Sequence, residues 1–341
     1  MGQDLIETSS AFRATMERLQ ANTSLPLVDL YKDGSKWFSK EYSTLGIVSF
    51  QLGLLAAILH DHGVRSPDYF LGHSTGELVC AFLAGLASEE EVLQYAVVWT
   101  RLAGSIDPAM RLDVFENEPV DGFDNIVKLE SSSDCESTRQ LFVKRKHKDS
   151  FKDPSVIESF SMDGQMAVVS CSATDLDTII STLGLQETRV ACYNAPLGQT
   201  VSGTACEVDR LVDYLQEHRK QIYTRKIDTG SVAYHAIFLK VFREFLRAEF
   251  GQVRGLDLPS VAIPPEWIAT SRNEFFDSDY LVENILRPVY FQEAIELLPK
   301  GSTIVEVGPS SILLSQIKRI RSDLVLFSLV GSKEPTKHVI E

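Results

Sequence analysis

The sequence predicts an α/β fold in two parts: a large α/β-hydrolase-like subdomain with a nucleophile elbow, and an inserted ferredoxin-like (βαββαβ) small subdomain. Two stretches carry that expectation. In the first, the apolar run Tyr69-Phe70-Leu71 ends in Gly72-His73-Ser74-Thr75-Gly76, and a helical run, Leu78 to Leu86, follows at once. Strand, sharp turn and helix form the context of a nucleophile elbow. The flanking glycines leave room for a strained turn, so the Ser74 Oγ would project from the sheet end toward a helix N-terminus. In the second stretch, 165–227, runs of strand and helix character alternate in the order strand, helix, strand, strand, helix, strand.

In chain order, Asp4 to Leu30 reads as a polar-faced helix and a loop, with Ala11, Met16 and Leu19 as its apolar stripe. Ile47 to His60 is apolar almost all round, and its length favours a buried helix over a strand. Gly63 supplies the stop. Ser88 followed by Glu91 is a capping box that opens a helix running to about Ala103. From Ser105 to Gly164 periodicity is lost among acidic clusters, Ser131-Ser132-Ser133 and the basic run Lys144-Arg145-Lys146-His147-Lys148, which reads as an exposed insertion. The basic run is a solvated loop or a contact for an acidic partner.

Strands are expected at Met166–Ser170, Arg189–Tyr193, Thr200–Ser202 and Ile222–Ile227, and helices at Thr174–Leu183 and Cys206–Arg219. Beyond these, Phe238–Phe250, Tyr280–Leu286 and Phe291–Leu298 read as helices and Ile304–Val307 as a strand. The expected division is 1–104 and 228–331 for the large subdomain, 105–164 for the insertion, 165–227 for the small subdomain and 332–341 for a tail.

The 341 residues, 44% hydrophobic and 23% charged, have the balance of an ordinary globular protein. No run of eighteen or more apolar residues and no signal-peptide pattern is read, so a cytoplasmic location is expected. The five cysteines, Cys80, Cys135, Cys171, Cys192 and Cys206, lack metal-like spacing and are expected as reduced thiols. A net charge of −14 argues against a nucleic-acid partner.

The extended motif Gly72-His73-Ser74-Thr75-Gly76-Glu77 resembles the nucleophile motif of the malonyl/acetyl transferase domains of fatty acid and polyketide synthases. Asn194-Ala195-Pro196 and Val201-Ser202-Gly203 resemble that family's small subdomain, and Glu306-Val307-Gly308-Pro309-Ser310 resembles its late strand and turn, with Ser310 at a position where the family often has His. The resemblance implies an acyl-CoA:acyl-carrier-protein S-acyltransferase, ping-pong through an acyl-Ser74 ester. It implies no bound cofactor; acyl-CoA is the donor and the phosphopantetheine of an acyl carrier protein the acceptor. The implied partners are that carrier protein and the neighbouring domains of a synthase. In the family the segment resembling Met1 to Leu5 follows a first strand and a Gly-Gln-Gly turn that supplies an oxyanion donor. Their lack here reads as a fragment or a degenerate copy.

Ser74 needs a base. Of the seven histidines, His60, His62, His147, His218 and His338 sit in or beside polar runs, and His73 abuts the nucleophile, where it reads as packing. His235, in Ser231-Val232-Ala233-Tyr234-His235-Ala236, reads from the residues alone as a core histidine or as the base. The resemblance assigns it as the base, and implies that a main-chain carbonyl, at the position of Asn284, orients it. Asp228 is a turn residue or a third, acidic member. The Thr75 backbone N–H is the expected oxyanion donor. Where malonyl-specific family members place an Arg, this chain has Trp99, and Arg101 lies two residues on. Trp99 implies a preference for monocarboxylic acyl groups; the alternative is that Trp99 fills core and Arg101 anchors a malonyl carboxylate. The rival readings are a serine thioester hydrolase and a non-catalytic synthase domain.

Overall fold

The computed structural model describes residues 3–23, 27–28, 31, 43–61, 67–106, 123–129, 141–146, 163–254 and 259–328. The chain forms two compact units, Met1–Val97 with Ala262–Thr270 and Gln292–Glu341, and Val98–Val261 with Ser271–Phe291. This division differs from the expected one: His235 falls in the unit that holds the small four-stranded sheet, and Ser74 in the other.

In the first unit, α1 (Gln3–Thr8) and α2 (Ser10–Ala21) are separated at Ser9, whose hydroxyl accepts from the Phe12 N–H at 3.0 Å and caps α2. Next comes α3 (Ser43–Ala56), continued by a π turn to Asp61. The span Ser43–His60 is long and apolar enough, by length and average composition, to cross a membrane, but it is interrupted by Ser49 and Gln51 and 72% of it is buried inside the protein. It is a core helix. Gly53 makes this possible, since a Cβ there would lie 2.7 Å from the Phe12 ring. Phe12, Tyr31 and Phe50 form the aromatic centre, with Phe12 edge-on to Tyr31 at 5.5 Å and to Phe50 at 5.8 Å.

The helices α4 (Gly76–Leu83) and α5 (Glu89–Ile106) follow, with the expected Ser88–Glu91 capping box formed in both directions. Tyr69–Leu71 is reduced to one parallel bridge, Phe70 with Trp267, because only Phe70 donates to and accepts from the 266–268 segment.

The second unit contains β1 (Phe123–Leu129) and β2 (Leu141–Lys146), an antiparallel pair inside the segment expected to be an exposed insertion without regular periodicity. Lys144, Arg145 and Lys146 of the basic run belong to β2. His147, Lys148, Cys135 and the 332–341 tail lie outside the described residues.

The strands β3 (Gly164–Val169), β4 (Arg189–Ala195), β5 (Gly198–Thr204) and β6 (Thr224–Ile227) form one antiparallel sheet in the order β4-β5-β3-β6. Helix α6 (Ala173–Thr182) lies in chain order between β3 and β4, and α7 (Ala205–His218) between β5 and β6. Their apolar faces, including Leu176, Ile179, Val208 and Leu211, share a core with Ala167, Val169, Val190 and Val201. Further along, the expected helix at Phe238–Phe250 is a 3-10 turn, Ile237–Phe242, leading into α8 (Arg243–Arg254). Helix α9 (Ser278–Leu286) completes this unit.

Back in the first unit, α10 (Phe291–Glu296) leads to β7 (Thr303–Glu306), and α11 (Ile312–Ile320) connects it to β8 (Val325–Ser328). β7 and β8 are parallel neighbours.

Candidate active site

Ser74 sits at φ 56° at the elbow of the first unit, a backbone region that costs a non-glycine residue about 1–3 kcal/mol. Two local bonds hold the turn, Gly76 N–H to the His73 carbonyl at 3.0 Å and Glu77 N–H to the Ser74 carbonyl at 3.1 Å. The two motif glycines differ in what they do. A Cβ on Gly72 would lie 2.2 Å from the Glu77 nitrogen, whereas one on Gly76 would meet nothing nearer than Gln51 Nε2 at 3.9 Å. Gly72 is therefore obligatory for the close turn and Gly76 is not.

Glu77, the last residue of the motif, is fully buried. Its carboxylate accepts from the Gly72 N–H at 3.2 Å, Trp267 Nε1 at 3.0 Å and the Thr270 N–H at 3.1 Å. The Thr270 hydroxyl lies 2.8 Å from both Glu77 Oε1 and the Gly72 carbonyl. A buried carboxylate is tolerated only with such partners, so Glu77 fastens the elbow to the 266–270 segment. Thr75 precedes α4 in helical conformation, and among the described residues no acceptor meets its N–H.

In the second unit, His235 is also at positive φ, 62°, and is buried. Its Nδ1 lies 2.8 Å from the Arg287 carbonyl. A carbonyl can only accept, so Nδ1 carries the proton and Nε2 keeps its lone pair. The expected partner was the Asn284 carbonyl; the observed acceptor comes three residues later. The reason is Pro288: the residue before a proline is pushed out of helical conformation. Arg287 is extended (φ −93°, ψ 160°), which turns its carbonyl off the axis of α9. Asp228 makes a turn bond, its Oδ1 accepting from the Gly230 N–H at 3.4 Å.

Trp99 is buried beside this histidine, with its ring edge-on to His235 at 6.2 Å and tilted over Tyr234 at 5.6 Å. Its Nε1 has no hydrogen-bond partner among the described residues. Arg101 donates instead to Glu249, at 2.9 Å.

The second unit thus gathers His235, Trp99, Arg101 and Asn284, while Ser74 and Thr75 lie in the first. Sequence reading missed Arg287 and Glu77; Pro288 signalled the former, and an acidic residue on the first turn of an otherwise apolar helix signalled the latter. The free thiols Cys80, Cys171 and Cys192 are buried. Burial pushes Cys171 up to about 11 and Cys192 up to about 12, and burial followed by the Glu77 charge pushes Cys80 up. None is a nucleophile near neutral pH. Cys206 is disulfide-bonded, against the expectation of reduced thiols throughout.

Residues 1–127 match the family model of the acyl transferase domain. A highly reducing polyketide synthase of Emericella nidulans, easB, is 23% identical over 343 residues, covering 94% of this chain and 11% of its own length. The chain spans about a tenth of the length of the curated relatives it matches. Among solved structures, the acyltransferase domain of the polyketide synthase PpsC of Mycobacterium tuberculosis superposes with a TM-score of 0.70 at 21% identity, covering 96% of this chain and 85% of that one. The malonyl CoA-acyl carrier protein transacylase from Clostridium perfringens gives 0.69 at 16%, with 99% and 91% covered. The fold is that of an α/β acyltransferase. The motif resemblance agrees with these similarities: the chain is similar in sequence to polyketide synthases and in fold to acyltransferase domains of polyketide and fatty acid synthases. In that family no cofactor is bound, and the acceptor is the phosphopantetheine of an acyl carrier protein.

Proposed function

We propose that the chain transfers an acyl group from acyl-CoA to an acyl carrier protein in fatty acid or polyketide synthesis, by a ping-pong route through an acyl-Ser74 ester. The carrying observation is that Ser74 and His235, singled out from sequence, both hold positive φ, a strain that clusters at functional sites. His235 Nε2 takes the Ser74 proton as Oγ attacks the thioester carbon. The imidazolium then protonates the departing CoA thiolate. In the second half the phosphopantetheine thiol gives its proton to Nε2, its sulfur attacks the ester, and Ser74 Oγ leaves with that proton. The Thr75 N–H stabilises the oxyanion in both halves.

The main-chain acceptor at Nδ1 supports a dyad without an acid, and a thiol outcompetes water as the nucleophile near neutral pH, which favours transfer over hydrolysis. A monocarboxylic group, acetyl or another starter, is the preferred cargo. Trp99 gives a carboxylate at most one neutral N–H, and the Arg101–Glu249 pair speaks against Arg101 as a malonyl anchor. The partners are the carrier protein and neighbouring synthase domains, and the setting is the cytoplasm.

Intact-protein mass after incubation with a panel of acyl-CoAs tests the reading. A shift of one acyl group is expected in wild type and not in Ser74→Ala, which keeps its fold. A shift that persists in the Ala variant would sink it.

A further inference from the structure

Arg189, the first residue of β4, lies in none of the motifs above. Its Nε donates to the His235 carbonyl at 2.6 Å, and its Nη2 donates to the Leu286 carbonyl. Leu286 ends α9 and is bonded to Arg287, the residue whose carbonyl accepts from His235 Nδ1. One guanidinium therefore bridges the main chain on both sides of the histidine's own hydrogen bond. We propose that Arg189 is the positioning residue for the His235 imidazole, fixing the Nδ1–H to the Arg287 carbonyl and so presenting Nε2. The proposal rests on His235 being the base.

Three features carry it. The last carbonyls of a helix have no intrahelical donor, so the end of α9 needs an external one, and a cation suits the negative end of the helix. The His235 carbonyl belongs to a backbone at φ 62° and has to be held there. A planar guanidinium supplies two donors in fixed directions, which an ammonium does not. The far end of the arrangement is also fastened: Glu283 accepts from Arg287 Nε at 2.5 Å and from Arg243.

The test uses the full chain with Arg189→Lys and Arg189→Gln. Two quantities are read: acetyl transfer from acetyl-CoA to a carrier protein, and the His235 Nδ1 proton in imidazole-15N-labelled protein without substrate. The expected result is a fall in kcat of about tenfold for Lys and about 100-fold for Gln, the scale of a misplaced catalytic group. KM for acetyl-CoA should stay within about twofold, and the Nδ1 proton should broaden or vanish through exchange with water. Should Arg189→Gln unfold, Arg189→Lys decides on both readouts. Wild-type kcat in Arg189→Lys with the Nδ1 signal intact would overturn the proposal. So would a rate loss with that signal unchanged, since the effect would then bypass His235. Because the proton is read without acyl-CoA, a chain that transfers nothing would defeat the functional reading and leave the positioning measurable.

Discussion

Ser74 and His235 are strained in the same sense and supported in different ways. The Ser74 turn is closed by bonds within the motif, Gly76 to His73 and Glu77 to Ser74, and the motif's own Glu77 ties it to the 266–270 segment. The His235 turn is held from outside: Arg189 is 46 positions before it and Arg287 is 52 after. The Ser74 turn closes on its own neighbours and is then fastened to distant chain through Glu77, whereas His235 is held by residues far from it in sequence. Changes in the 266–270 segment reach the first through Glu77, and changes at Arg189 or Arg287 reach the second directly.

The largest effect expected is at the base. His235→Ala should cut transfer by about 10²–10⁴, the weight of a positioned acid/base, as measured by carrier-protein acylation. A comparable loss in His73→Ala or His218→Ala would break the pairing of Ser74 with His235.

The next largest is in selectivity. An unpaired malonyl carboxylate in a closed site costs on the order of 2–5 kcal/mol, or roughly 30- to several-thousand-fold. Wild type should favour acetyl-CoA over malonyl-CoA by that range, and Trp99→Arg should reverse the preference. The readout is competition for Ser74. A malonyl preference in wild type that Arg101→Ala abolishes would make Arg101 the anchor.

The smallest concerns the elbow's own geometry. Gly72→Ala should destabilise by about 1–3 kcal/mol, the scale of overpacking, with acylation falling alongside. Gly76→Ala should be near neutral, within about 0.5 kcal/mol. Denaturant melts separate the two, and equal losses would mean that the turn is not held by close approach at Gly72.

That asymmetry sets what the sequence could reveal. Gly72, Ser74 and Gly76 announce a turn within five letters because the constraint is local. The helices and strands of 164–227 were legible for the same reason, their periodicities being unbroken over short spans. Asn284 was read in place of Arg287 because a helix-end carbonyl is chosen by backbone direction, which Pro288 governs and side-chain identity does not. Arg189 was invisible, since nothing near it in sequence marks it as touching residues 235 and 286. β1 and β2 were lost among the acidic and basic clusters that surround them, although Leu141-Phe142-Val143 carried a strand signal.

Helix α3 has a consequence of another kind. Most of it is apolar and covered, in part by α2 and Tyr31, with Gly53 allowing Phe12 to sit flush against the helix backbone. In an unfolded chain Ser43–His60 is an exposed apolar rod of the length of a membrane span. Gly53→Leu or Phe12→Asp would therefore register first in the quality control of the cell, as aggregated or degraded chain. Turnover per soluble molecule would be nearly unchanged, and yield would be the quantity that falls.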